Sequence, residues 1–476
     1  MFLKKFSSRL WSSLIWTSAP LLIFLAGCSG LSTAPANSLN PSIPLKVPST
    51  SGSLIGTYTP GVSSAISKDF FGMTIQNLAA PSTTESSKLT PFPQYSLSML
   101  RLWDVVNWMT IEAAKGVYDW SKMDGTISTA KRNGVDDYIF TFGGRVPAWA
   151  STDPTDPCIY NGGLKHTGQC APPDLTALDD FTRTIVQRYC GVVKYYEPWN
   201  EPNTGFWDGT NEQLLTVVQH IYKIAKDPAN CGCDKDVCVP NGGENPNSVL
   251  LSPISTLEPK NLAWLDAFLT TAGPAFPYAD IASSHQYNLT KPEDAIAEVA
   301  AFRNTLSKHG LGNLDVWDSE ASWGEAVPAE GQDEAAWLMR FHMAEVVAGV
   351  SRFIWYAYDN CEWGTLYVSS GCGDSLGASD TQTDAGDAYK VTQSWLLGTN
   401  LTKCLSYNNG LWMCELTRSG GYTAWMLWSD SSSTVQVTIP QNSGLSVYRD
   451  WKNDVAALPS QMTIGAQPVL LESTDL

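Results

Sequence analysis

Basic residues are scarce in this chain of 476: 30 lysines and arginines stand against 47 aspartates and glutamates, a formal net charge of −17. Such a surplus repels phosphate backbones, which argues against a nucleic-acid partner and favours a neutral substrate. Histidine is scarcer still. The five histidines, His166, His220, His285, His309 and His342, show no ligand spacing, so neither a catalytic metal nor another cofactor is expected. No glycine-rich phosphate loop follows the first strand-like segment, which counts against an open doubly wound sheet. A leading apolar run, Leu14 to Leu25, is too short and too early to be a spanning helix of the working protein.

Lys4, Lys5 and Arg9 precede that run, and it ends in Leu25-Ala26-Gly27-Cys28. The segment resembles a bacterial lipoprotein signal over residues 1–28. The resemblance implies that Cys28 carries lipid and that the exported protein is tethered to a membrane, facing the periplasm or the cell exterior; an ordinary secretory peptide is the other reading. Residues 29–53, rich in Ser, Pro, Ala and Thr and nearly free of charge, read as a flexible linker. Setting Cys28 aside from the 11 cysteines leaves an even number in an exported chain, and disulfides follow. Cys158 with Cys170, Cys361 with Cys372, and Cys404 with Cys414 are each close enough to staple one loop or hairpin. Cys190, Cys231, Cys233 and Cys238 share two further bridges whose pairing stays open. A zinc site at Cys231, Cys233 and Cys238 is a weaker reading, because no histidine lies nearby.

From about residue 54, strand-like segments alternate with segments of helical period. Strands are expected at Phe70 to Asn77, Ser98 to Asp104, Tyr138 to Gly144, Val193 to Glu201, Ser248 to Ser255, Asp280 to Tyr287, Leu314 to Ser322 and Arg352 to Asp359. Eight strands, each followed by a helix, predict a (β/α)8 TIM barrel over 54–398. Beyond it the period becomes two, with strands expected at Leu411 to Thr417, Tyr422 to Trp428, Thr434 to Ile439, Leu445 to Trp451 and Met462 to Glu472. These predict a small C-terminal antiparallel β-sandwich over 399–476, and a strand from Ser53 to Thr59 completes it.

Active sites of such barrels lie at the C-terminal strand ends. There the chain places Arg101, Trp103, Asn200, Glu201, His285, Tyr287, Glu320 and Trp355. Two glutamates facing each other across a barrel mouth fit glycoside cleavage, where one carboxyl group protonates the leaving oxygen and the other attacks the anomeric carbon. Glu201, among aromatic residues, reads as the acid/base. Glu320, facing Arg101, reads as a nucleophile kept ionised. Asn200 is expected on the sugar 2-hydroxyl, Tyr287 on Glu320, and Trp355 beneath the ring. Two readings stay open: Arg101 as a barrel plug against Glu197, and His285 as a core histidine rather than a sugar contact.

Trp199-Asn200-Glu201-Pro202-Asn203, with Asp318-Ser319-Glu320 on a later strand, resembles glycoside hydrolase clan A. Arg101-Leu102-Trp103-Asp104, the stretch from Trp108 to Asp124, and Pro147-Ala148-Trp149-Ala150 are similar to family 39; the surroundings of Glu320 suit families 5 and 30 as well. The resemblance implies Glu201 as acid/base, Glu320 as nucleophile, and cleavage of a β-glycosidic bond with retention. The expected protein is a monomeric retaining β-glycosidase, endo-acting on an extracellular polysaccharide. The alternatives are an exo-acting β-xylosidase-type enzyme, a transglycosylase and a surface glycan-binding barrel without catalysis.

Overall fold

A computed structural model describes residues 47–60, 64–78, 90–160, 163–164, 167–231, 247–273, 276–325, 328, 332–369 and 380–473. The expected lipobox cysteine Cys28, most of the linker, and Cys233, Cys238 and Cys372 lie outside them. Eight parallel strands follow one another around a barrel: β1 (Phe71–Met73), β2 (Met99–Arg101), β3 (Asp137–Gly143), β4 (Tyr195–Trp199), β5 (Ser248–Val249 and Ile254–Ser255), β6 (Ile281–Gln286), β7 (Asp315–Ala321) and β8 (Arg352–Trp355). The fifth strand is broken where an unbroken one was expected. Pro253 lies in the gap and has no N–H for a ladder. The barrel still closes there, through a parallel bridge between Leu250 and Ile281 and the Leu251 N–H donating to the Ile281 carbonyl at 2.8 Å.

Helices follow β2 to β8 in turn: α1 (Ser121–Arg132), α2 (Leu175–Arg188), α3 (Asn211–Lys226), α4 (Pro259–Ala272), α5 (Asp294–Lys308), α6 (Gln332–Ala348) and α7 (Asp384–Leu396). Their limits are written in the sequence. Thr210 and Gln213 cap α3 reciprocally, the Thr210 hydroxyl accepting from the Gln213 N–H at 3.3 Å and the Gln213 carboxamide from the Thr210 N–H at 2.8 Å. Leu214, Val217, Val218 and Ile221 then fall on one buried stripe of that helix. No helix among the described residues is long and apolar enough to cross a membrane.

Alternation along the strands sorts side chains between the barrel interior and the helix layer. Met99, Ile139, Leu250, Ile281, Trp317 and Ile354 form one apolar interior layer. It is the floor of the chamber above. Leu100, Phe140, Phe142, Tyr196, Phe353 and Trp355 instead join the larger core.

The C-terminal strands are β9 (Asn400–Tyr407), β10 (Leu411–Thr417), β11 (Thr423–Ser429), β12 (Val435–Thr438), β13 (Val447–Arg449), β14 (Val455–Ala457), β15 (Gln461–Ile464) and β16 (Val469–Glu472). The N-terminal strand Leu54–Tyr58 pairs antiparallel with β9 and begins a seven-stranded sheet that continues through β10, β11, β16, β13 and β14. The β12–β15 pair covers one face of that sheet, where Leu411, Met413, Trp425 and Leu427 meet Val435, Val437, Met462 and Ile464. The other face, with Trp412, Cys414, Met426 and Trp428, shares the core of the barrel.

Disulfides join Cys158 to Cys170, Cys190 to Cys231 and Cys404 to Cys414. Cys361 is also disulfide-bonded. Disulfides such as these fit an oxidising compartment outside the cytosol.

Candidate active site

At the second interior layer the barrel becomes polar. Arg101, at the end of β2 and 1% exposed, reaches Glu197 Oε2 on β4 at 2.8 Å, Asn200 Oδ1 at 2.7 Å, and Glu320 Oε2. Thr141 on β3 donates to the same Glu197 oxygen at 2.6 Å. Arg101 therefore meets Glu197 inside the barrel and, in the layer above, Asn200 and Glu320. Burial alone would lower its guanidinium, but Glu197 and Glu320 outweigh it and hold the group above its ordinary value. Burial likewise would raise Glu197, and Arg101, His285 and Thr141 together reverse that and keep it below the usual carboxylate range.

Two backbone irregularities aim the glutamates. Glu201 follows β4 with φ of +42°, a conformation uncommon for a side-chain-bearing residue and frequent at functional sites. On β7, strict alternation with Trp317 pointing inward would send Glu320 outward. Instead the register to β6 slips between Ser284/Asp318 and His285/Glu320. The extra residue is Ser319, whose hydroxyl meets that of Ser283 at 3.0 Å, and the bulge turns Glu320 into the barrel.

On β6 the alternation is regular, so His285 and Tyr287 point to the mouth with Gln286 behind them. His285 Nδ1 lies 2.8 Å from Glu201 Oε1 and 4.0 Å from Glu320 Oε2. The Tyr287 hydroxyl donates to Glu320 Oε1 at 2.7 Å. Each Glu320 oxygen thus accepts from a separate donor, an arrangement suited to a carboxylate. A carboxylate oxygen of Glu201, one of Glu320 and a ring nitrogen of His285 all lie within 4.8 Å of one another.

The structure gathers Arg101, Asn200, Glu201, His285, Tyr287 and Glu320 into one chamber, and Trp103 borders it. The Trp103 indole donates to the Gly143 carbonyl at 3.1 Å. Gly144, at φ of +92°, brings the chain so close that a Cβ there would sit 3.3 Å from both the Trp103 ring and Asn200 Cβ. Two expectations are corrected. Trp355 is fully buried and faces the helices, against Trp323, Phe341 and His342, so it makes no floor for a sugar. Its inward neighbour Tyr356 and the half-buried Trp363 instead pack on Tyr287, at 6.3 and 5.5 Å between ring centroids. The alternation of β8, with Ile354 inward, already carried that signal. Nor does Arg101 hold Glu320 low: burial raises the Glu320 carboxyl, and the opposing pull of His285 and Arg101 does not cancel it.

Similar folds occur among solved structures. A family 39 glycoside hydrolase from the gut symbiont Bacteroides cellulosilyticus WH2 superposes over 85% of this chain and 80% of its own, with a TM-score of 0.62 at 15% identity. A family 39 β-xylosidase from Caulobacter crescentus aligns over 87% and 98%, with a TM-score of 0.53 at 15% identity. A family 51 arabinofuranosidase from Xanthomonas axonopodis pv. citri aligns over 87% and 99%, with a TM-score of 0.52 at 10% identity. At these identities the likeness shows the fold. No protein-family model matches the chain, and no curated protein matches it.

Proposed function

We propose that this protein is a retaining β-glycosidase with Glu320 as nucleophile and Glu201 as acid/base. One observation carries the reading: carboxylate oxygens of the two residues lie within 4.8 Å of each other. Double displacement asks for carboxyl groups about 5 to 5.5 Å apart, whereas inversion needs about 6.5 to 9.5 Å to admit a water. In the first step a Glu320 oxygen bonds to the anomeric carbon as the glycosidic C–O bond breaks, and protonated Glu201 gives its proton to the departing oxygen. In the second, Glu201 takes a proton from water, the water oxygen bonds to the anomeric carbon, and Glu320 leaves. Asn200, its carbonyl end held by Arg101, turns its amide NH2 toward the 2-hydroxyl. The roles rest on hydrogen bonding: Glu320 has Tyr287 and Arg101 as donors, one on each oxygen, as suits an attacking carboxylate, while Glu201 Oε1 lies against the His285 ring.

The enzyme acts outside the cytosol as a monomer, tethered by lipid on Cys28, and a tethered enzyme meets polymers, which favours endo attack on a polysaccharide. The family 39 neighbour named as a β-xylosidase keeps exo action as the second reading. The test is a panel of β-linked polysaccharides and aryl β-glycosides with the soluble form beginning after Ser53, products being resolved by length and by anomer. A β-anomer as first product, and kcat lower by roughly 10²- to 10⁴-fold in Glu201→Gln and at least as much in Glu320→Gln, are the expected results. An α-anomer as first product sinks retention. Full activity in either variant sinks that residue's role.

A further inference from the structure

A third carboxylate shares the chamber. Asp104, three residues past Arg101, accepts from Arg145 Nη2 at 3.0 Å on one oxygen and from Gln76 Nε2 at 3.3 Å on the other. Gln76 Nε2 also donates to the Tyr356 hydroxyl at 2.9 Å. The Arg145 guanidinium lies over Trp103, 3.9 Å from the ring centroid. The Asp104 charge is felt at both Glu320 and Arg101, which places it beside the reacting pair. Yet 12% of its side chain and 30% of that of Arg145 remain exposed, unlike the sealed Arg101–Glu197 pair below.

Position around the mouth gives this network a task. Tyr356, Gln76, Asp104 and Arg145 follow β8, β1, β2 and β3, four consecutive strands of the barrel, and together line one side of the line from Glu320 on β7 to Glu201 after β4. The opposite side is β5 and β6, and the His285 and Tyr287 of β6 are already engaged with the two glutamates. A sugar with its anomeric carbon at the pair therefore turns its remaining hydroxyls toward the β8-to-β3 wall. That wall has bonding capacity to spare. Among the described residues Arg145 Nε and Nη1 donate to no protein group, and the Asp104 carboxylate, with Arg145, Gln76 and the Tyr356 hydroxyl as its donors, keeps one of its four lone pairs.

We propose that Asp104 and Arg145 form a clamp for two neighbouring hydroxyls of the sugar held between Glu201 and Glu320, Asp104 accepting from one and Arg145 donating to the other. The clamp commits the site to a neutral ring with a free vicinal diol at that edge. A uronic acid is disfavoured, because Glu197, Glu201, Glu320 and Asp104 already outnumber Arg101 and Arg145 around the chamber. This inference rests on the glycosidase reading.

The test uses 4-nitrophenyl β-D-xylopyranoside, β-D-glucopyranoside, β-D-galactopyranoside and β-D-glucuronide with wild type, Asp104→Asn and Arg145→Met. The 3- and 4-deoxy analogues of the best substrate follow, with a melting curve for each protein. Each variant is expected to lose about 10- to 100-fold in kcat/KM on the parent glycoside, as for a charge-assisted hydrogen bond, with its Tm near that of wild type. On the analogue lacking the bonded hydroxyl, wild type and variant should converge, and the glucuronide should be cut most slowly. Equal losses on parent and deoxy substrates mark a merely structural ion pair and overturn the clamp; so does preference for the glucuronide. Should wild type cut none of the four, the same comparison is read from Kd values for 1-deoxynojirimycin and isofagomine. Absence of both turnover and binding, with no polysaccharide cut in the panel above, removes the glycosidase reading and this inference together; a polysaccharide cut while none of these compounds is cut or bound removes this inference alone. Cleavage by wild type with variants indifferent to the hydroxyl removes this inference alone.

Discussion

Glu320 shows how three neighbours set one carboxyl group. Burial raises it, His285 and Arg101 pull it down, and the Tyr287 hydroxyl donates to the carboxylate, the form that attacks in the proposed mechanism. With the net direction upward, activity that needs the carboxylate is present above the Glu320 pKa and lost as pH falls through it. The acid limb of kcat/KM should therefore lie above the ordinary carboxyl range near ~4.3. Tyr287→Phe removes a donor to the charged form, so that limb should move to higher pH and kcat/KM should fall by about 10- to 100-fold. A pH profile of wild type beside the variant reads both, and an unmoved limb would show that the bond matters only for shape. This contact was legible in the sequence because Tyr287 and Glu320 fall on adjacent strand ends. The position of Trp355 was legible too, through Ile354 and the period of two. The raised state of Glu320 was not, because burial of a carboxylate against a guanidinium is a balance that residue order does not reveal.

Behind the face that carries His285 and Glu320, β6 and β7 meet α6 through carboxyl groups instead of hydrocarbon. The outward Gln286 Nε2 donates to Asp318 Oδ2 at 3.1 Å and to Glu345 Oε1 of α6 at 2.8 Å. Among the described residues neither carboxylate has an ion pair; the nearby charges are acidic, Glu298 on α5 acting on Glu345, and Glu345 and then Glu320 acting on Asp318. Burial first, and then these like charges, raise both carboxyl groups, Glu345 to about 8. Because that folded value is above the unfolded one, the stability contributed is fully present below about pH 4.3 and is lost as pH rises to about 8. Glu345→Gln imitates the protonated acid, so it should flatten this decline and melt a few degrees above wild type at pH 8 while matching it near pH 5. Melting curves at the two pH values check it, and parallel curves would mean that Glu345 is not protonated in the fold. The helix itself was legible from its apolar period. The bulge at Ser319 that turns Glu320 inward, with Asp318 behind the strand, was not, since an inserted residue leaves no mark in Val316-Trp317-Asp318-Ser319-Glu320.

Across the whole molecule, the sandwich is fastened to the barrel by both apolar and polar contacts. One core runs from Phe71 and Trp355 through Trp395 to Trp412 and Trp428. At its edge Glu293 accepts from Arg340 at 2.8 and 2.7 Å and from the Trp428 indole at 2.7 Å, while Arg418 donates to the carbonyls of Ser394, Trp395 and Leu397 at the end of α7. The sandwich was legible from its period of two except where the ladder is irregular. The register of β9 shifts between Leu401 and Lys403, which hid that strand, and the segment from Met462 to Glu472 divides into β15 and β16 around Gly465. Both faces of β10 and β11 are apolar because one meets β12 and β15 and the other meets the barrel. Sheet and barrel therefore hide each other's hydrocarbon, and neither is expected to unfold alone. Trp428→Ala deletes a buried ring, a loss of about 3 to 5 kcal/mol, and takes a donor from Glu293. The expected scanning-calorimetry trace is a single transition several degrees below that of wild type, with calorimetric and van't Hoff enthalpies still in agreement. A trace that splits, its lower step moved and its upper step unchanged, would make the sandwich an independent appendage and leave the barrel to hold Glu201 and Glu320 in place by itself.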